Sequence, residues 1–141
     1  MTPGTILFDK DFKFFDGATA RKLLIVLNDA ACAYYVIVTL TSQRHDKGAM
    51  PGCQPRDRFQ NFYLPQGTCV LPKNSWVMLD AFYETDPNKL FQLKLKGQLE
   101  LIGGLDESTT KALLVCAIES LSISDRHAQA LDDCLTRLAL G

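Results

Sequence analysis

The feature that most constrains the fold is a change of rhythm at Gly103-Gly104. Before it, short runs rich in β-branched and aromatic residues are separated by Gly, Pro, Asn and Asp; after it, apolar residues recur at helical spacing. Strands are expected over residues 5–8, 23–27, 35–40, 59–64, 68–71, 76–83 and 90–95. Asp16-Gly17, Asn28-Asp29, Pro65-Gln66-Gly67, Pro72-Lys73-Asn74 and Asp86-Pro87-Asn88 read as turns, although Ala30-Ala31-Cys32-Ala33 could add a little helix after Asn28-Asp29. Many short, punctuated strands point to a small, strongly bent sheet or barrel, which limits exposed strand edges by curling. Asp106 or Ser108 can cap one helix, with Leu114, Ala117, Ile118 and Leu121 at helical spacing, and Ser124 a second, with Ala128, Leu131, Leu135 and Leu138 on one face. The expectation is a mainly β protein with two terminal helices. It forms a single domain over residues 1–141, with a barrel part at 1–103 and a helical part at 104–141.

At 141 residues, 47% hydrophobic and 22% charged, the chain can build one substantial core, and it has no internal repeat or linker that would divide it. A formal charge of -1 gives no global attraction to polyanions, so any nucleic-acid binding must come from a local basic patch. Met1-Thr2-Pro3-Gly4 lacks the basic and apolar regions of a signal peptide, and no apolar run approaches the roughly 20 residues of a membrane span. A cytoplasmic protein without a membrane partner is therefore expected. The cysteines Cys32, Cys53, Cys69, Cys116 and Cys134 are odd in number and lack a C-x-x-C pair, so free thiols are expected, with Cys116 and Cys134 buried in helical apolar patterns. The gaps between His45, Cys53 and Cys69 do not match zinc-ligand pairs, and Asp80, Glu84 and Asp86 have no metal-site spacing. No metal and no other cofactor is expected.

The chemistry-bearing residues cluster around the first two long apolar runs. Arg21-Lys22 opens the run at 23–27, and the run at 35–40 ends in Thr41-Ser42-Gln43. Paired in one sheet, these runs bring a cation and a group of hydroxyls and amides to one sheet end, where a phosphodiester can be held and activated. Residues 44–58, rich in Gly, Pro and charge, should form a long surface loop whose Arg44, Lys47, Arg56 and Arg58 can grip a nucleic-acid backbone. Phe59, Phe62 and Tyr63 can stack bases, but their run also reads as a sheet segment, which is the preferred reading. His45 has the right chemistry to shuttle a proton, against the plainer reading of an exposed loop histidine. His127 is expected at the surface, and Trp76 in the core or at its edge.

These residues resemble the MazF/PemK family of endoribonuclease toxins. Gly4-Thr5-Ile6-Leu7 is similar to the family's opening strand, with Thr5 where Asp is usual. Arg21-Lys22 stands at the Arg-Pro position, Thr41-Ser42-Gln43 matches the next element, and Gly97-x-Leu99 with the helices after it is similar to the closing region. The likeness is specific over residues 4–43 and architectural beyond. It implies an SH3-like barrel and metal-independent, sequence-selective cleavage of single-stranded RNA by a homodimer restrained by a protein antitoxin. Arg21, Thr41 and Ser42 would be catalytic, and Lys22, Gln43, Arg44, His45, Arg56 and Arg58 would bind substrate. In that reaction the 2'-hydroxyl attacks the adjacent phosphate, leaving a cyclic phosphate and a free 5'-hydroxyl. Lys22 in place of Pro removes a backbone restraint and can move the working cation from Arg21 to Lys22. The alternative reading is a non-catalytic SH3-like module that binds protein or nucleic acid through the same groove. A third is a structural subunit that assembles through its terminal helices. The first two differ on whether Arg21 and Thr41 face one cleft.

Overall fold

The computed structural model describes residues 1–29 and 31–140. The centre of the fold is β2 (Thr19–Val26) against β3 (Tyr35–Thr41), paired antiparallel with Leu24 opposite Thr39. β3 is buried throughout from Tyr35 to Leu40 because both faces of the sheet are covered. Val36, Val38 and Leu40 enter one core with Ile6, Ile25 and the helical residues Leu113, Leu114 and Leu131; Tyr35 and Ile37 enter a second with Leu7, Leu24, Leu90 and Leu99.

Around this pair the chain builds an eight-stranded antiparallel sheet. β1 (Thr5–Lys13) and then β8 (Leu99–Gly104) lie beyond β2; β6 (Ser75–Met78), β5 (Asn61–Leu64) and β4 (Gly52–Gln54) lie beyond β3, and β7 (Tyr83–Thr85) pairs with the start of β3. β4 and β8 end the path, so the sheet is not closed on itself. α1 (Pro87–Leu95) packs with the second core, whereas α2 (Glu107–Ile118) and α3 (Asp125–Leu140) cover the first. Asp106 caps α2 by accepting the Thr109 N–H at 2.8 Å, and Ser124 Oγ accepts the His127 N–H at 3.1 Å at the start of α3.

The structure corrects several expectations. Residues 90–95 are helical, because Asp86 accepts the Asn88 N–H at 2.7 Å as an N-cap and Pro87 takes the first turn, where its missing N–H costs nothing. Residues 68–71 form turns, with Cys69 at φ 52°. The expected strand at 76–83 is divided into β6 and β7, while β4 and β8 form where no strand was expected. Of the little helix considered at residues 30–33, Ala30 lies outside the described residues, and 31–33 are turn and bend. The cysteines are not all free: Cys53 in β4 and Cys116 in α2 form a disulfide, leaving Cys32, Cys69 and Cys134 as thiols. No described helix is long and apolar enough to cross a membrane.

Candidate nucleic-acid interface

Strand alternation decides which motif residues can act together. Neighbours along a strand point to opposite faces, so Arg21 and Lys22 diverge, as do Leu40 and Thr41. Arg21 follows Leu23 and Phe8 on the face of the first core, and its guanidinium lies 5.3 Å from the centre of the Phe8 ring. Thr41 follows Ile37 and Thr39 on the other face, which is also the face of Leu24 and Lys22. Continuing the β2–β3 register sets Lys22 opposite Thr41, and Lys22 Nζ donates to the Leu40 carbonyl at 3.4 Å. The structure thus brings Lys22 and Thr41 together and puts Arg21 across the sheet from both.

Lys22 is half-buried, with its ammonium 6.0 Å from the centre of the Phe14 ring. Its pKa falls below the ordinary 10.5, first because burial strips water from the ammonium and second because Lys47 repels it. Lys47 is the buried anchor of the adjoining loop. Only 6% exposed, it donates from Nζ to the carbonyls of Gln43 (3.1 Å) and Arg44 (3.3 Å), while Arg44 Nε donates to the Lys47 carbonyl at 2.9 Å. These bonds close a tight turn in which His45 takes a positive φ of 49°. Gln43 donates its N–H to Thr41 Oγ1 at 3.2 Å, and its side-chain oxygen Oε1 is 3.1 Å from His45 Nε2. Ser42, next to Thr41, is exposed.

Asp57 ties the next segment of the loop to this turn. Its Oδ2 accepts the Gly48 N–H at 2.8 Å and the Asn61 side-chain amide at 2.9 Å, folding the Arg56–Arg58 segment against the Lys47–Gly48 segment. Trp76, the β6 partner of Thr41, completes the brace by donating from its indole to the Gly48 carbonyl at 2.8 Å; its ring stacks on Tyr63. Trp76, Phe62 and Tyr63 are buried, so they are structural, whereas Phe59 is partly exposed beneath the Arg58 guanidinium. Among the described residues, Arg21, Lys22, Arg44, Lys47, Arg56 and Arg58 have no carboxylate within ion-pairing distance. Of these, Lys47 is close enough to Lys22 to repel its ammonium, whereas Arg58 lines a cavity with Asp80 and Leu121.

Sequence reasoning listed Lys47 only as a loop cation and did not single out Asp57. Nothing local marks either as a brace, because both act across the loop. The divergence of Arg21 from Lys22 was legible from the period of a strand alone. His127 is also more covered than expected: its side chain is 14% exposed, and Nε2 lies 2.9 Å from Glu84 Oε1, far from the Thr41 end. Among the described residues, no three His, Cys, Asp or Glu side chains gather as a metal-binding group. No protein-family model matches the sequence, and no curated protein matches it.

Proposed function

We propose that the chain is an SH3-like domain of the MazF/PemK type that binds single-stranded RNA at the Thr41 end and cleaves it without a metal, using Lys22 as the phosphate-binding cation. The observation that carries this reading is the half-buried Lys22 set by register opposite Thr41 and close to Lys47, neither lysine having a carboxylate within ion-pairing distance among the described residues. An ammonium there neutralises charge on the non-bridging phosphate oxygens as the 2'-hydroxyl attacks. Thr41 Oγ1 accepts a bond from Gln43, which leaves its own proton free to donate to phosphate.

Proton transfer also has candidates at this end. With Gln43 Oε1 as an acceptor, His45 Nε2 carries a proton, and in the neutral imidazole Nδ1 then has the lone pair that takes the 2'-hydroxyl proton. Lys22, made a stronger acid than an exposed lysine by burial, can protonate the departing 5'-oxygen. Arg44, Arg56 and Arg58 hold flanking phosphates. A second RNA-binding copy and an antitoxin remain part of the family-type reading.

One observation favours the second reading, a non-catalytic RNA-binding module. Arg21, the bidentate fork of the family motif, lies over Phe8 on the far face. Incubating the protein with a sequence-diverse single-stranded RNA pool in excess chelator, and mapping product ends, separates the two. Expected are cyclic-phosphate and 5'-hydroxyl ends, lost in Lys22→Ala and Thr41→Ala and kept in Arg21→Ala. An intact pool bound with Lys22-dependent affinity would replace the enzyme with the module; neither cleavage nor binding would discard both.

A further inference from the structure

The loop that carries the cations is fastened to the body by one covalent bond. Cys53 is the middle residue of β4, which pairs with β5 only from Gly52 opposite Tyr63 to Gln54 opposite Asn61. This strand is the edge of the sheet, with no neighbour on its outer side along the strand path. Its disulfide to Cys116 spans 63 positions of sequence and ties the edge to α2, whose Leu113, Leu114 and Ala117 are fully buried in the first core. The two residues differ in exposure: Cys53 is exposed, whereas Cys116 is 5% exposed.

We propose that Cys53–Cys116 is a site of thiol–disulfide exchange with a dithiol reductant, and that its reduction releases the 44–58 loop while leaving the body of the fold in place. The reductant's thiolate attacks Cys53 Sγ from the exposed side, the Cys53–Cys116 bond breaks, and Cys116 leaves as a thiolate that takes a proton. The second thiol of the reductant then attacks its own sulfur in the mixed disulfide. This frees Cys53 as a thiol, and the reductant departs as an intramolecular disulfide. Two electrons and two protons pass from the dithiol to the protein in total.

The change stays local because each end has a different alternative. Cys116 becomes a small buried thiol that the core accommodates as a hydrophobe. Cys53 is left on a three-residue edge strand, and the loop is then held by polar bonds alone: the β4–β5 ladder, the Lys47 turn, and the brace of Gly48 with Asp57 and Trp76. Short edge segments held by few bonds are the first to open in a folded protein. Of the resident thiols, Cys134 is fully buried and closed to reshuffling. Only the consequence for RNA, a loosened set of backbone-gripping cations, rests on the proposed function.

The test needs no RNA. Alkylation of the denatured, unreduced full-length protein should count three thiols, rising to five after dithiothreitol, itself a dithiol. Native protein is then digested briefly with trypsin in each state, and cuts after Arg44, Arg56 and Arg58 are followed by mass spectrometry. We expect roughly tenfold faster loop cleavage on reduction, with far-UV circular dichroism preserved, as local opening requires. Cys53→Ser with Cys116→Ala should cut at the fast rate whether or not dithiothreitol is present. Five thiols without reductant, equal cleavage in the two states, or loss of the far-UV signal on reduction would each overturn the proposal.

Discussion

Replacing Lys22 by Met separates a cation kept for binding from one kept for structure. The ammonium is half-buried beside Phe14 and is repelled by Lys47; its one protein hydrogen bond, to Leu40, is long at 3.4 Å. Met fills similar space against the ring and removes the desolvated charge, so the lost bond and the relieved charge nearly cancel. Stability at neutral pH should change by no more than about 1 kcal/mol in either direction. Binding should respond differently. A lost charge-assisted phosphate contact is worth about 1.5–3 kcal/mol, which corresponds to a roughly 10- to 150-fold weaker complex.

Fluorescence anisotropy with a labelled single-stranded RNA, titrated at several salt concentrations, reads both affinity and the number of phosphates neutralised. Lys22→Met should reduce the slope of log affinity against log salt by about 0.7, the single-strand value for one phosphate. The pH dependence gives a second check. Because the folded amine titrates below 10.5 while the unfolded one does not, the unfolded state binds more protons in that window. Wild-type stability therefore gains on Lys22→Met as pH rises through the folded pKa toward 10.5, while RNA affinity falls. Unchanged affinity and salt slope, or a stability loss well beyond 1 kcal/mol, would refute the assignment and make Lys22 a structural residue.

Two further outcomes test the frame at the other end of β2 and β3, away from Lys22 and Thr41. Gly4 has φ +86°, accepts the Leu105 N–H, donates to Val26, and leaves no room for a Cβ, which would collide with Thr110 Oγ1; Gly4→Ala should cost about 2–4 kcal/mol by thermal or urea unfolding. At the far end, Glu84 is held below its ordinary 4.5 by the His127 hydrogen bond foremost, and by Arg126, against an opposing effect of burial. That contribution is present above the unfolded value and is lost as pH falls through the folded one. Unfolding curves of Glu84→Gln should therefore approach those of the wild type as pH drops below 4.5.

How much of this was legible in the sequence depends on whether a signal is local. The central strands are, since a β-branched run buried on both faces needs no alternation, and β3 matches its run at 35–40 almost residue for residue. The caps at Asp106 and Ser124 are also local, and both hold. α1 deceives because Phe91 and Leu95 are exposed apolar residues that fill out an alternating pattern, while Leu90, the residue that is buried, fits a helix equally well. The Cys53–Cys116 bond lies beyond any spacing rule, joining a loop strand to a helix across 63 positions, and an odd cysteine count does not argue against one pair.

The motif behind the functional reading is intermediate in kind. Its residues are adjacent in sequence, but adjacency on a strand means opposite faces, so Arg21 and Lys22 cannot both serve the face on which Thr41 lies. Which of them does is set by the register of β2 against β3, a long-range fact: a slip by one position would exchange their roles. The resemblance thus locates the sheet end where the chemistry is sought, and the pairing of Leu24 with Thr39 selects the cation. On the proposed reading that cation is the lysine standing where the motif has proline. The Arg21→Ala and Lys22→Ala variants must therefore differ in effect if the Thr41 end handles RNA at all.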